Sequence, residues 1–188
     1  MIFRTPIKFC KNCGRAVVYR LPDDGDTKQR AVCPACNTVH YENPLNVVGT
    51  VPVWEDTDSK AFKVLLCKRN IEPRKGKWTL PAGFMELEET TAEGAARETR
   101  EEAGAQFEMQ SLFTVLSVPR VGQVHLFYRA KLTSDQFDPG YETQEAKLFT
   151  EAEIPWDEIA FRTVKVTLEH FFKDKSLGTF NVHEIDIV

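Results

Sequence analysis

The sequence lacks any long apolar run and any strong excess of charge of one sign. No stretch approaches the roughly 20 apolar residues of a membrane-spanning helix, and residues 1–10 lack the apolar centre of a signal peptide. The formal net charge of −4 argues against a surface built wholly to bind nucleic acid or anionic membrane. Internal repeats and low-complexity segments are also missing. We therefore expect a globular, cytoplasmic protein with no membrane partner.

Cysteine is scarce but regularly spaced. Four of the five cysteines form two Cys-x-x-Cys pairs, Cys10 with Cys13 and Cys33 with Cys36, and 19 residues separate the pairs. Two such pairs can place four thiolates around one zinc ion, and without a secretion signal metal binding is favoured over disulfides. Because four thiolates leave no position for water, the spacing predicts a structural zinc ribbon. Cys67 lies in an apolar run and is expected in the core.

Basic side chains on the predicted ribbon leave nucleic-acid binding as an alternative. Arg15, Arg20 and Arg30 are among them. Acidic residues such as Asp23 and Asp24 dilute this charge, and few aromatic residues accompany it. The composition therefore disfavours nucleic acid as the partner.

The sequence Asn43-Pro44 marks the predicted boundary between a ribbon at 1–43 and a second domain at 44–188. Beyond it, apolar runs predict strands and amphipathic spacing predicts two helices. The predicted strands are Val47–Trp54, Phe62–Cys67, Leu112–Val118, Val124–Leu132 and Ala146–Thr150, and the predicted helices are Thr91–Ala103 and Val164–Lys173. Strands mixed with two helices predict an α/β sandwich.

The first predicted helix carries three carboxylates on one face. Thr90 and Glu93 have the spacing of a capping box, which sets where the helix begins. Glu98, Glu101 and Glu102 follow at i, i+3 and i+4, where like charges repel one another. A shared Mg²⁺ or Mn²⁺ ion would reverse that repulsion, since both ions prefer oxygen ligands. Taken alone, the acidic face is equally compatible with simple exposure to solvent.

The same helix lies within a longer pattern of fixed spacing. The pattern comprises Gly83, Glu89, Arg97-Glu98, Glu101-Glu102 and Gly104, and Trp78-Thr-Leu-Pro-Ala leads into it. It resembles the signature of the Nudix hydrolases at every fixed position. The two positions that are apolar in the family hold Thr99 and Ala105, and Thr99 is expected to loosen the packing. With its ribbon, the chain resembles the Nudix enzymes that include NADH pyrophosphatases and a plant plastid FAD pyrophosphatase, the latter most closely.

This resemblance implies a Nudix αβα sandwich with a mixed sheet, preceded by a small zinc ribbon. It also implies hydrolysis of a nucleoside diphosphate linked to another moiety, with catalytic Mg²⁺ or Mn²⁺ and structural Zn²⁺, and often a homodimer. The family's metal-binding positions correspond to Glu98, Glu101 and Glu102, together with a backbone carbonyl at Gly83. Glu98 is further expected to act as general base, with Arg97 holding it in place. Glu142 and Glu145 are both candidates for a further base or ligand from a late loop.

The substrate follows less directly from the sequence. Arg69 and Trp78 are predicted to contact it, Arg69 because it ends a strand and is therefore well fixed. Residues Gln106–Val121 lack the Ser-Gln-Pro-Trp-Pro-Phe-Pro segment that accompanies NADH specificity, and Pro119 resembles a proline of ADP-ribose pyrophosphatases. We therefore expect FAD, ADP-ribose or both as substrate, with AMP as a product. An NADH or NAD pyrophosphatase is the alternative. A nucleic-acid-binding or metabolite-sensing protein with a non-catalytic Nudix domain is the alternative from another class.

Overall fold

A computed structural model describes residues 5–56 and 61–188, and the chain divides into two compact units between Pro44 and Leu45. The smaller unit contains three short antiparallel strands, β1 (Val18–Arg20), β2 (Arg30–Val32) and β3 (Val39–His40). A segment this short cannot bury a core large enough to hold it together. The cysteines in its turns are therefore its main candidates for a cross-link.

The larger unit is built on one mixed sheet. Six of its strands run in the order β10-β5-β4-β9-β8-β11, while β6 pairs with β5 and β7 pairs with β4. The strands are β4 (Leu45–Glu55), β5 (Phe62–Arg69), β6 (Trp78–Thr79), β7 (Ala82–Phe84), β8 (Phe107–Val118), β9 (Gln123–Leu132), β10 (Thr143–Phe149) and β11 (His183–Asp186). The pairs β4/β9 and β8/β11 are parallel and the others antiparallel, which confirms the predicted mixed sheet.

Two helices complete the unit, α1 (Thr91–Ala103) and α2 (Arg162–Leu177). The capping box of α1 is present: the Thr90 hydroxyl accepts a hydrogen bond from the Glu93 N–H, and the Glu93 carboxylate accepts one from the Thr90 N–H. The helix ends at Gly104, whose φ of 59° is left-handed. Both ends of α1 were therefore predictable, whereas α2 extends beyond its predicted segment on both sides.

The two helices cover opposite faces of the sheet. Successive side chains of a strand point to opposite faces, and in β5 Val64 and Leu66 belong to one hydrophobic cluster while Leu65 and Cys67 belong to another. The first cluster contains the apolar face of α2, and the second contains Ala103 at the end of α1. The result is the predicted αβα sandwich, with Cys67 buried as expected.

A fully buried pair of threonine hydroxyls joins each helix to the sheet. Thr99 of α1 lies 2.7 Å from Thr50 of β4, and Thr167 of α2 lies 3.1 Å from Thr114 of β8 (Oγ1 to Oγ1). The Thr99 hydroxyl also donates to the carbonyl of Ala95, so Thr50 must donate to Thr99. The expectation that Thr99 loosens the packing is therefore wrong, because its hydroxyl is fully bonded inside the core.

Some elements were missed. The two-residue β6 and three-residue β7 are too short to show a period. The prediction also omits the first residues of β8, although Phe107 and Met109 alternate there with exposed polar residues as in a half-buried strand. Apolar Phe180 and Val182, just after the helix stop at Gly178, predict a short tail strand, and the structure has that strand slightly later, at β11. Within the described residues, no helix is long and apolar enough to cross a membrane.

The Thr50–Thr99 pair yields a stability prediction. We expect Thr99→Val to lower the free energy of unfolding by about 1–3 kcal/mol, because it leaves the Thr50 hydroxyl buried without its acceptor. The double variant Thr50→Val/Thr99→Val should recover much of that loss, since both polar partners are then gone. Urea unfolding of Thr50→Val, Thr99→Val and the double variant measures this, and strictly additive losses would contradict it.

Candidate active site

The four paired cysteines come together in the smaller unit. Their sulfur atoms all lie within 4.8 Å of one another, with 3.6 Å between the Sγ atoms of Cys10 and Cys36 and 3.5 Å between those of Cys13 and Cys33. Zinc–sulfur bonds of about 2.3 Å in a tetrahedron place sulfur atoms nearly 3.8 Å apart, so this cluster fits a structural zinc ion. Hydrogen bonds from the Thr38 hydroxyl and N–H lower the pKa of Cys36 to about 6, which favours the thiolate that a metal requires.

In the larger unit, the turn at Ala82 and Gly83 meets the glutamates of α1. The Glu102 carboxylate accepts a hydrogen bond of 3.0 Å from the Ala82 N–H, and the Glu98 carboxylate lies directly against Gly83. A Cβ atom at position 83 would overlap with that carboxylate. Glycine is therefore required here by the close approach of Glu98 and not by a left-handed backbone.

Both of these carboxylates are withdrawn from water. Burial raises the pKa of Glu102 to about 8, with repulsion from Glu98 adding to the effect. Burial also raises the pKa of Glu98, and the Arg97 guanidinium opposes that rise. Two desolvated carboxylates next to one another are costly unless further positive charge reaches them. Their environment therefore suits a bound cation.

Arg97 connects the loop before α1 to the glutamates on it. Its guanidinium donates two hydrogen bonds to Glu89 (2.8 and 3.0 Å), one to Glu98 (2.8 Å) and one to Glu101 (3.2 Å). It also donates to the carbonyl of Phe84 at 3.1 Å. The hydrogen bonds from Arg97 lower the pKa of Glu89 to about 2. Arg97 thus fixes the direction of Glu98 while Glu89 secures Arg97.

The predicted metal set of Glu98, Glu101 and Glu102 is only partly assembled. These three carboxylates share one end of α1, yet their oxygen atoms do not all lie within 4.8 Å of one another. Among the His, Cys, Asp and Glu side chains of the described residues, only the four cysteines form a group that compact. Glu101 points to Arg97 with a side chain that is 60% exposed, and it would have to turn from Arg97 to join Glu98. As an all-oxygen donor set with Glu102 buried and Glu98 half-buried, the group still fits Mg²⁺ or Mn²⁺.

The two candidate glutamates of the late loop, the segment that leads into β10, have different positions: Glu142 precedes the strand and Glu145 lies within it. The negative charge of Glu142 helps to raise the pKa of both Glu98 and Glu102, so Glu142 faces the site. Glu145 lies in β10 opposite Lys68 of β5, exposed, and has no such influence. An extra residue between Thr143 and Glu145 shifts the register there, which is a β-bulge.

Asn70 and Gly140 hold this loop in place, and neither was predicted from the sequence. The Asn70 N–H donates to the Glu142 carbonyl at 2.7 Å, and its side-chain amide donates to the Tyr141 carbonyl at 2.8 Å. The Gly140 N–H donates to the Glu101 carbonyl at 3.2 Å, and a Cβ atom at position 140 would meet that carbonyl. No spacing rule reveals such contacts, because they join distant parts of the chain.

The two predicted substrate residues have different environments. Arg69 ends β5, donates from Nε to the Pro73 carbonyl at 2.8 Å, and its charge lowers the pKa of Glu102. It is therefore close to the glutamates. Trp78 is only 6% exposed and packs edge-on against Phe149 in the core. That burial leaves little of Trp78 for a ligand, so its main contribution is to packing.

Comparison with known proteins identifies the family. A profile described as the Nudix N-terminal zinc ribbon matches residues 8–42, and a profile described as the NUDIX domain matches residues 44–170. The chain belongs to the Nudix hydrolases. A crystal structure of a NUDIX hydrolase from Nitrosomonas europaea is 49% identical, with a TM-score of 0.88, and the match covers 96% of this chain and 99% of that one.

Two curated Nudix relatives carry more specific names. An ADP-ribose pyrophosphatase from Methanocaldococcus jannaschii is 31% identical over 115 residues, which is 59% of this chain and 67% of that protein. A protein named NAD-capped RNA hydrolase NudC, from Photobacterium profundum, is 27% identical over 148 residues, which is 78% of this chain and 51% of that protein. The match thus spans only about half of the second relative.

The cysteine cluster predicts a specific zinc content. We expect about one zinc ion per chain, and we expect Cys33→Ser to lose it and to destabilise the smaller unit, because three remaining thiolates cannot close the site. Cys67→Ala is the matched control, since Cys67 lies in the core of the larger unit. Plasma mass spectrometry measures the zinc, and full zinc content in Cys33→Ser would contradict the assignment.

Proposed function

We propose that this Nudix hydrolase cleaves the pyrophosphate bond of a nucleoside diphosphate derivative, ADP-ribose or FAD, and releases AMP. The observation that carries the proposal is the pair of desolvated carboxylates, half-buried Glu98 and buried Glu102, held at the Ala82–Gly83 turn with Arg69 close by. The named ADP-ribose pyrophosphatase among the relatives supports this substrate class. The choice of FAD as a substrate rests on the resemblance of the sequence to the plant plastid FAD pyrophosphatase.

The reaction needs positive charge, which the proposal assigns to Mg²⁺ or Mn²⁺. Glu98, Glu101 and Glu102 would hold the ion, together with the carbonyl of Gly83. When bound, such an ion shields the phosphate oxygens and makes water a stronger acid. In the smaller unit, Zn²⁺ held by the four cysteines has a structural role.

The remaining steps belong to side chains of the chain itself. Glu98 accepts the proton of the attacking water, because Arg97 holds one of its oxygens at 2.8 Å and thereby fixes the other. A raised pKa makes Glu98 a better proton acceptor than an ordinary carboxylate at neutral pH. We propose that Glu142 assists it, in preference to Glu145, because the charge of Glu142 acts on both Glu98 and Glu102. Arg69 binds a phosphate oxygen of the substrate.

NAD or NADH hydrolysis is the second candidate. It is favoured by the relative named NAD-capped RNA hydrolase, whose match extends over 78% of this chain. The Gln106–Val121 region lacks the segment that accompanies NADH specificity, and this places the candidate second. A homodimer in the cytoplasm remains our expectation for the native state.

A substrate panel tests the proposal. The purified chain is incubated with ADP-ribose, FAD, NADH, NAD or coenzyme A, each with Mg²⁺ or Mn²⁺, and AMP release is followed by chromatography. We expect ADP-ribose or FAD to be cleaved fastest and EDTA to abolish the reaction. Preference for NADH would instead support the second candidate.

Two variants test the glutamates directly. We expect Glu98→Gln and Glu102→Gln to lower kcat by about 10²–10⁴-fold while the fold persists, because each loses a proton acceptor or a cation ligand. The exposed Glu184→Gln on β11 is the control for loss of a charge. Unchanged turnover in both active-site variants would refute the mechanism.

Gly83→Ala tests the close approach of Glu98. The added methyl group would overlap with the Glu98 carboxylate, so we expect turnover to fall at least tenfold with little change in thermal stability. If the methyl acts through Glu98, the double variant Gly83→Ala/Glu98→Asp should be no slower than Glu98→Asp alone. Steady-state kinetics on the best substrate measures this. If the double variant is instead slower than Glu98→Asp by the full factor seen for Gly83→Ala alone, the methyl group does not act through Glu98.

A further inference from the structure

A small cavity lies on the α2 face of the sheet, apart from the glutamates. Val53 near the end of β4 lines it, whereas the Gly83 turn pairs with β4 at Val48. Five residues of strand separate these points by roughly 16 Å. The glutamates belong to α1, which covers the other face. The cavity is therefore a separate feature from the proposed active site.

Most of the cavity wall is apolar. Three phenylalanine rings line it, Phe62 of β5, Phe171 of α2 and Phe180 after α2, together with Val53 and Ala130. Its volume is about 170 Å³. An engineered apolar cavity of about 150 Å³ holds benzene, so this one has room for one small ring or branched chain. It is too small for a nucleotide.

The Arg129 guanidinium in the wall is only weakly satisfied by hydrogen bonds from the described residues. Arg129 of β9 stacks over Phe180, with 4.1 Å between the guanidinium carbon and the ring centre. Among the described residues it forms no ion pair, and its one hydrogen bond, to the Ser111 hydroxyl, is long at 3.5 Å. Its Nε is buried with no hydrogen-bond partner in that part of the chain. Burial lowers the pKa of Arg129, although nearby Asp174 opposes this.

The surrounding charges do not neutralise Arg129. Asp174 is engaged elsewhere, because its Oδ2 accepts hydrogen bonds from His183 at 2.8 Å and from the Asn181 N–H at 3.0 Å. Glu55 and Lys131 also line the cavity, and among the described residues neither forms an ion pair with Arg129 or with another group. Other charges of the described residues near the wall include Lys175, 4.2 Å from the Phe62 ring centre, and Glu108, opposite Lys131 on β8.

We propose that this cavity binds a small monocarboxylate with an apolar body, whose carboxylate bonds Arg129 while its ring or branched chain packs among the phenylalanines. A charge-assisted hydrogen bond would satisfy the unpaired guanidinium. The apolar body would occupy a space that polar water fills poorly. Neither group of the ligand alone matches the whole cavity, which combines the Arg129 guanidinium with three aromatic rings.

Benzoate is the probe, titrated by calorimetry and by ligand-observed NMR into the full chain with its zinc. We expect a Kd on the order of 1 mM, as for a ligand of this size. Benzamide has the same shape without the charge and should bind at least tenfold more weakly. Inorganic phosphate should also bind more weakly, because it lacks an apolar body. Equal binding of either control compound, or no benzoate binding at 20-fold this concentration (about 20 mM), overturns the proposal.

Two substitutions place the binding at this cavity. Arg129→Gln should weaken benzoate binding about tenfold. That change affects a partly buried side chain, so Gln110→Glu provides a second test. It brings a carboxylate to the cavity wall from an exposed position. This carboxylate should compete with benzoate for Arg129 and weaken benzoate binding by a similar factor. Gln110→Met is its uncharged control and should bind benzoate as the natural chain does. Unchanged affinity in both Arg129→Gln and Gln110→Glu refutes the assignment, and nucleotide hydrolysis should be unaffected by either change at position 110.

Discussion

The hydrogen bonds of the Arg97 guanidinium are the interaction on which the rest of the candidate active site depends. It bonds three glutamates and one carbonyl at once, so the loop before α1 and the helix itself are held as a single piece. Without this positive charge, Glu89, Glu98 and Glu101 would repel one another within a few ångströms. The direction of Glu98, and hence the position of any bound water or cation, is set by this one side chain.

Close packing of α1 on the sheet is the second requirement, and small residues meet it. A Cβ atom at Gly94 of α1 would overlap with Val48 of β4 and with Glu89, and one at Gly49 of β4 would overlap with the Pro81–Ala82 turn that faces the glutamates. Thr50 and Thr99 then lock the same helix with a buried hydrogen bond. The geometry of the carboxylates is thus a property of the backbone spacing as much as of the acidic residues themselves.

Local patterns made much of this structure predictable. The capping box at Thr90, the glycine stop at Gly104 and the spacing of the cysteines are short-range signals, and the structure contains each of them. The partner of Thr99 was not predictable, because Thr50 is 49 residues away and the pair has no local signature. The same holds for Asn70, whose contacts to the late loop depend on tertiary folding. Trp78 is the opposite case, in which a local pattern misleads. Its position next to the motif of fixed spacing suggests a contact with a ligand, but its side chain is buried in the core.

The bulge at Gln144 carries a consequence for comparing this chain with its relatives. It inserts one residue into β10 that has no partner in β5. Before the bulge, each residue of β10 is therefore shifted by one relative to the partner that regular pairing would give it. Glu142 and Glu145 are only three residues apart in the sequence, yet they lie on different sides of the bulge. In a relative without the extra residue, a sequence alignment anchored on the strand would pair each loop residue with the neighbour of its structural equivalent. Equivalent acids in that loop must therefore be matched by superposition and not by residue count.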